Sequence, residues 1–211
     1  ILSNGEEKLF FGVKEPDLDY AKSNKTKHGL SKIENFTKDF RNYIDTKYKT
    51  QYTPEQILGY IYAILHSSTY RQKYIEFLKL DFPRIPFIDD KDLLLTLSEI
   101  GNDLMEHHLM KTIPNYNYCK FRTSKTEVSK VDFNDGKVFI NEDAYFEQVP
   151  GDIWDFYIGG YKVLDKWLKE RKKHNITLNT DDVKHFVNVV YIIDYTLKTM
   201  KKIDELTNNI I

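Results

Sequence analysis

Apolar side chains recur every three or four positions along most of the chain, and between residues 115 and 158 the pattern changes to alternation. Ile33, Phe36, Phe40, Tyr43 and Ile44 share helical spacing and predict a helix over about residues 30–47. Thr53, Pro54 and Gln56 make a capping-box start, with a hydroxyl to accept the first free N–H groups and a proline suited to the first helical position. Ile57, Leu58, Ile61, Ile64 and Leu65 then form one stripe. Ser67, Ser68 and Thr69 break that helix and cap a second, whose expected buried face is Tyr70, Tyr74, Phe77 and Leu78. Pro83 and Pro86 cannot sit inside a helix and extend Phe82 and Ile85, so Arg84 lies on a stiff strap expected to fix the angle between its flanking segments. Asp89 or Asp90 caps a third helix with the stripe Leu93, Leu97, Ile100, Leu104 and His108, stopping before Pro114.

From Asn115 the sequence is aromatic and β-branched: YNYCKFRT, VSKVDF, a turn at Asn134, Asp135 and Gly136, then KVFI. These runs predict a small antiparallel sheet around a hairpin. Ile153, Trp154, Phe156 and Ile158 are expected to form a final strand, and Gly159 and Gly160 to open a helix burying Tyr161, Leu164, Trp167 and Leu168. A long helix from Asp181 carries Val183, Phe186, Val187, Val190, Ile193, Leu197, Met200 and Ile203 in register. The fold class is α+β, a mainly helical platform with a small antiparallel sheet inserted between helices. Residues 1–29, including a short apolar run at 8–13 that fits an edge strand, are expected to link to a preceding part of a longer polypeptide. Residues 30–211 are expected to form one domain, helical over 30–113, β-rich over 115–158 and helical over 159–207.

Length and composition narrow the class. The chain has 211 residues and 41% apolar content, enough for a substantial core. A lone Cys119 excludes an intrachain disulfide; with no apolar run of membrane-spanning length and no signal-like start, the expected setting is cytoplasmic, without a membrane partner. The start at Ile1 reads as a piece of a longer chain. Net charge is only −1, yet its distribution is uneven. Residues 20–50 hold eight basic side chains against three acids, 160–174 hold six against two, and 75–108 hold eight acids against Lys79, Arg84 and Lys91. The segregation fits a basic face on a neutral molecule, and equally fits solvated helix faces of differing sign.

Candidate chemistry is sparse. His107 and His108 are adjacent and diverge on a helix, and Cys119 has no cysteine at zinc-ligand spacing, so no metal site is expected. Nothing near Cys119 supplies a base for a nucleophile, and Gly159–Gly160 matches neither a P-loop nor a dinucleotide fingerprint. Asp89, Asp90, Asp181 and Asp182 stand where helix caps belong. What remains is polar, basic and aromatic: Lys120, Arg122, Thr123, Ser124 and Lys125, then Lys130 and Lys137 flanking the hairpin, and Lys162 after the glycine turn. Such groups meet phosphates and base edges, while hairpin lysines also serve as solubilising edge residues.

The ordered set YIYAILHS, YRQKYIEFLKLDFPRIPF and VPGDIWDFYIGGYKVLDKWLKER resembles the C-terminal specificity domain of type ISP restriction-modification enzymes, over about residues 36–203. Its most specific parts are Tyr70-Arg71, the strap at 82–86, and Ile158-Gly159-Gly160-Tyr161 with Lys166, Trp167, Leu168 and Arg171. The family combines a nuclease, an ATP-driven DNA translocase, an adenine methyltransferase and, last, a target-recognition domain. The resemblance implies that this chain is the last part and reads a short asymmetric sequence in double-stranded DNA. No cofactor is then expected here, while the parent uses ATP, Mg and S-adenosylmethionine. The chain has no Walker A or Asn-Pro-Pro-Tyr-type motif and no evident helicase motif, which fits a fragment without catalysis of its own. Under this reading Arg122 and Lys125 face base edges, Ser124 and Lys120 lie beside them, and Lys130, Lys137 and Lys162 face phosphates; Trp154, Tyr161 and Trp167 are expected in the core. Two other classes stay open, a module that only couples methyltransferase to motor without touching DNA, and a cryptic enzyme.

Overall fold

The structure, a computed structural model, describes residues 34–122, 125–208 and 210. The segment 1–29 and its suggested edge strand lie outside the described residues. The described residues divide into two compact units, one made of residues 34–103 and those described from Lys202 onward, the other of those described within 104–201.

In the first unit, α1 (Lys38–Tyr48) is capped by Thr37, whose hydroxyl accepts the Phe40 N–H, and it buries Phe40, Ile44 and Tyr48. The capping box of α2 (Pro54–His66) is present in both directions: Gln56 N–H donates to Thr53 Oγ1 at 3.1 Å, and Thr53 N–H to Gln56 Oε1 at 2.9 Å. Ser67 ends α2 and caps α3 (Ser68–Lys73), while its hydroxyl donates to Asp204 Oδ1 at 2.7 Å. The single second helix expected from spacing is two. The backbone breaks at Tyr74 (φ −110, ψ 15) before α4 (Ile75–Leu80), and the break turns Phe77 outward, 72% exposed, so it is not part of the buried face. Ile75, Leu80 and Phe82 are exposed with it.

The strap is held by tyrosines. Tyr70, Tyr60 and Tyr48, all buried, donate their hydroxyls to the carbonyls of Arg84, Pro86 and Ile88 respectively. Alternate carbonyls of an extended segment are thus satisfied by side chains of three helices, the kind of partner that buried backbone acceptors require. Asp90 caps α5 (Lys91–His108), accepting from Asp92 and Leu93 N–H at 3.0 Å each. Its buried stripe is Leu94, Leu97, Gly101 and Leu104, rotated slightly from the expected one, with His107 buried and His108 only partly so.

The second unit contains a four-stranded antiparallel sheet in the order β1 (Lys120–Arg122), β4 (Tyr145–Glu147), β3 (Lys137–Phe139), β2 (Asp132–Asn134). The expected hairpin joins β2 to β3, with Asp135 and Gly136 at φ 47 and 71, the paired positive values a tight two-residue turn needs. The inner sheet face, Phe121, Phe146, Val138 and Phe133, packs on Trp154, Leu164, Leu168, Phe186 and Val190, with the Phe146 and Phe186 rings stacked at 3.9 Å. The stretch expected as a final strand is instead a helical turn, α6 (Gly151–Trp154), followed by a two-stranded hairpin of β5 (Tyr157–Ile158) and β6 (Tyr161–Lys162). Pro150 stands at the N-cap of α6, where its carbonyl accepts the Trp154 N–H, and the two glycines, at φ 56 and 86, turn the hairpin rather than opening a helix. α7 (Val163–Lys173) follows and buries Leu164 and Leu168. The cap of α8 (Thr180–Thr207) is Asn179, which exchanges hydrogen bonds with Asp182. Among the described residues no helix is long and apolar enough to cross a membrane.

Candidate nucleic-acid interface

Strand alternation sends the polar residues of all four strands to the outer sheet face. Register sets Lys120 opposite Glu147 and Lys137 opposite Asn134, with Arg122 opposite Tyr145, Phe139 opposite Tyr145 on the other side, and Asp132 opposite Phe139. Two rows result: Lys120, Glu147, Lys137, Asn134, and next to it Arg122, Tyr145, Phe139, Asp132. The Tyr145 and Phe139 rings lie 5.3 Å apart, and the Lys137 ammonium stands 4.9 Å over Tyr145.

Glu147 sits at the centre of the cations. Arg122 donates to its Oε1 from Nε at 2.9 Å and from the terminal nitrogen at 2.7 Å. This bond, reinforced by the charges of Lys120 and Lys137, holds the Glu147 carboxyl below the usual carboxylate range, and in return the pairing raises Arg122 above its ordinary value. The pair is therefore fully ionised at neutral pH, and Arg122 is held in one direction by a charge-assisted bond.

The flanking loop is fixed by Asn141. Its amide donates to the Glu127 carbonyl at 2.9 Å and the Lys125 carbonyl at 3.4 Å, and its oxygen accepts the Asp143 and Ala144 N–H groups. That clamp brings Lys125 against Asp143 at 2.9 Å, which raises the lysine above its ordinary value. Lys130 is 3.7 Å from Asp132, 3.9 Å from Glu142 and 6.0 Å from the Phe139 ring centre.

Of the seven residues singled out in the sequence, the sheet brings Lys120, Arg122 and Lys137 onto one face, with Lys125 and Lys130 on its bordering loops. Lys162 is apart from them on β6, paired with Asp155 at 2.5 Å. Ser124, with Thr123, lies outside the described residues. Sequence reasoning missed Glu147, Tyr145 and Phe139. The alternation of Tyr145-Phe146-Glu147 carries the signal, but three residues are too few to distinguish a strand from a connection. Tyr161, expected in the core, is exposed, whereas Trp154 is buried and Trp167 partly so. Cys119 is buried, and burial pushes its thiol up to about 12, with the charge of Glu147 adding to the effect. Among the described residues no group of three His, Cys, Asp or Glu could hold a metal ion.

A family model described as the Type ISP C-terminal specificity domain matches residues 7–202. The chain belongs to this family. Solved structures share the fold. The DrdV–DNA complex superposes with a TM-score of 0.63 at 21% identity, covering 85% of this chain and 20% of that one. The ATP-dependent Type ISP restriction-modification enzyme LlaBIII bound to DNA gives 0.56 at 21% identity, over 79% of this chain and 12% of that one. A nuclease-deletion mutant of the Type ISP restriction-modification enzyme LlaGI, in complex with a DNA substrate mimic, gives 0.53 at 24% identity, over 74% and 16%. The chain therefore spans a fifth or less of each of these solved chains. No curated protein sequence matches it.

Proposed function

We propose that residues 30–211 recognise a specific sequence in double-stranded DNA, acting as the target-recognition domain of a larger restriction-modification polypeptide. One observation carries the reading: in a member of the specificity-domain family, the outer face of the sheet gathers Lys120, Arg122 and Lys137 around Glu147, with Asn134 at the end of the row. Arginine in a fixed direction reads guanine O6 and N7, and lysines neutralise phosphates without sequence preference. In this reading Arg122 and Lys125 are base-reading residues, with Lys120 and Ser124 beside them, and Lys130, Lys137 and Lys162 are phosphate contacts. The three DNA-bound relatives support the partner. The nuclease, translocase and adenine methyltransferase activities, with ATP, Mg and S-adenosylmethionine, belong to the rest of that cytoplasmic polypeptide.

A coupling role between parent domains is favoured by one observation, the exposure of Ile75, Phe77, Leu80 and Phe82 around α4.

The test is selection of the protein's ligands from a pool of random duplexes at moderate salt, followed by sequencing. One short asymmetric motif is expected. Arg122→Ala relaxes that motif at one position, by about 1–3 kcal/mol of discrimination. Lys137→Ala weakens all duplexes alike. Absence of binding at low salt overturns DNA recognition and favours the coupling module; unchanged binding in both variants removes the sheet face as the reading surface.

A further inference from the structure

The hairpin of β5 and β6 is built unlike the four-stranded sheet. It has two residues per strand, and its large side chains face water: Tyr157 is 55% exposed, Ile158 62% and Tyr161 57%. A ribbon this short gains little from its own pairing, and three large apolar groups together on a surface mark a contact site rather than a solvated edge.

The register divides the hairpin into two faces. Ile158 pairs with Tyr161 and Tyr157 with Lys162. On the Ile158–Tyr161 face, the Lys166 ammonium lies 3.5 Å from the centre of the Tyr161 ring. On the other face, the Lys162 ammonium is 5.9 Å from the Tyr157 ring while it pairs with Asp155. Each face therefore offers one tyrosine ring with one ammonium beside it. The turn between them is bare. Gly159 and Gly160 have positive φ, and a Cβ added at either would meet nothing within 4 Å, so the glycines answer to the turn geometry alone and leave backbone open to close approach.

The charge around the hairpin chooses among partners. Residues 155–174 carry six basic side chains, Lys162, Lys166, Lys169, Arg171, Lys172 and Lys173, against Asp155, Asp165 and Glu170. Two of the three acids lie against cations of the same segment, Asp155 with Lys162 and Asp165 with Lys169 at 2.7 Å. The exposed Lys166, Lys172 and Lys173 leave the segment net positive. An apolar tip set between ammonium groups matches a polyanion with apolar surface inside its grooves.

Resting on the DNA-recognition reading, we infer that this hairpin is a second DNA-contacting element. Its Ile158–Tyr161 tip enters a groove of the duplex against sugars and base edges, and Lys162 and Lys166 lie on the flanking phosphates.

Affinity for a labelled random-sequence duplex, titrated over a range of salt, separates the two kinds of contact. Ile158→Ser and Tyr161→Ser are each expected to weaken binding roughly tenfold at every salt concentration, the loss of one apolar contact to the nucleic acid, with an unchanged salt slope. Lys166→Ala is expected to reduce the slope by about one. All three side chains are exposed, so folding is not at stake, and near-ultraviolet circular dichroism checks it. A second measurement gives position: Ile158→Cys, labelled with a maleimide photo-crosslinker while Cys119 stays buried, is expected to crosslink to the duplex. If these hairpin variants bind like the parent sequence and the label captures no DNA, while Lys137→Ala still weakens binding, the hairpin proposal is overturned and the sheet reading stands. If the unmodified protein binds no duplex at low salt, both fall.

Discussion

Arg122 and Cys119 lie three residues apart at the start of the same sheet, and their surroundings give them opposite chemistry. Cys119 faces the core, where burial and the nearby Glu147 charge disfavour the thiolate and push its pKa up to about 12. The native protein is therefore expected to leave a disulfide reagent such as Ellman's unreacted at pH 8, and to consume one equivalent once unfolded in guanidinium; rapid reaction of the native protein would contradict the burial. Arg122 faces outward, and Glu147 holds it. The residue types of such a face were legible from composition, because lysine and arginine announce themselves. Their partners were not, since Glu147, Asp143 and Asp155 stand 25, 18 and 7 residues from Arg122, Lys125 and Lys162. Only the register of the folded sheet and the Asn141 clamp bring most of those distances to bonding range.

Elements show the same division between what is local and what is not. The capping box at Thr53, the Asp135–Gly136 turn and the Asp90 cap are local devices, and each was readable because the residues that make it lie within three positions of one another. The strap was readable as stiff from Pro83 and Pro86, but the tyrosines that satisfy it come from three separate helices. Tyr60→Phe removes the donor to the Pro86 carbonyl inside the core and is expected to cost about 1–3 kcal/mol, seen as a lower urea midpoint with unchanged slope. The crossing of α2 and α5 is equally non-local. A Cβ on Gly101 would lie 1.9 Å from the Gly59 carbonyl oxygen, a contact with backbone that cannot swing aside. Gly101→Ala gains about 1 kcal/mol of helix propensity and loses about 1–3 kcal/mol or more to overpacking, so the expected outcome is a less stable protein in the same denaturation experiment. Sequence spacing failed at Tyr74 and at Ile153, where helices of six and four residues are too short to leave a period.

At the scale of the whole chain, 31 basic and 32 acidic residues nearly cancel, and the division into two units falls within α5 and α8, where no change of composition or linker marks it. Each unit holds a histidine whose pKa lies below the ordinary imidazole value. In the first, His66 on α2 is lowered chiefly by burial, with its Nδ1 2.8 Å from the Tyr62 carbonyl. In the second, His185 on α8 is lowered by burial and then by the Arg171 charge, and its ring stacks on Trp167 at 5.5 Å. Since both folded values are depressed, the unfolded chain takes up protons first as pH falls. The stability these neutral rings contribute is complete above the ordinary imidazole value of about 6.5 and is lost as pH drops from there through the folded values. Denaturation midpoints are therefore expected to be flat from about pH 8 to 7 and to decline as pH falls below about 6.5. His66→Asn and His185→Asn should each reduce that decline, and the double variant should reduce it further than either. A midpoint that rises on acidification over this interval would mean that the two rings gain protons in the folded state, and would overturn the assignment of burial as the controlling force.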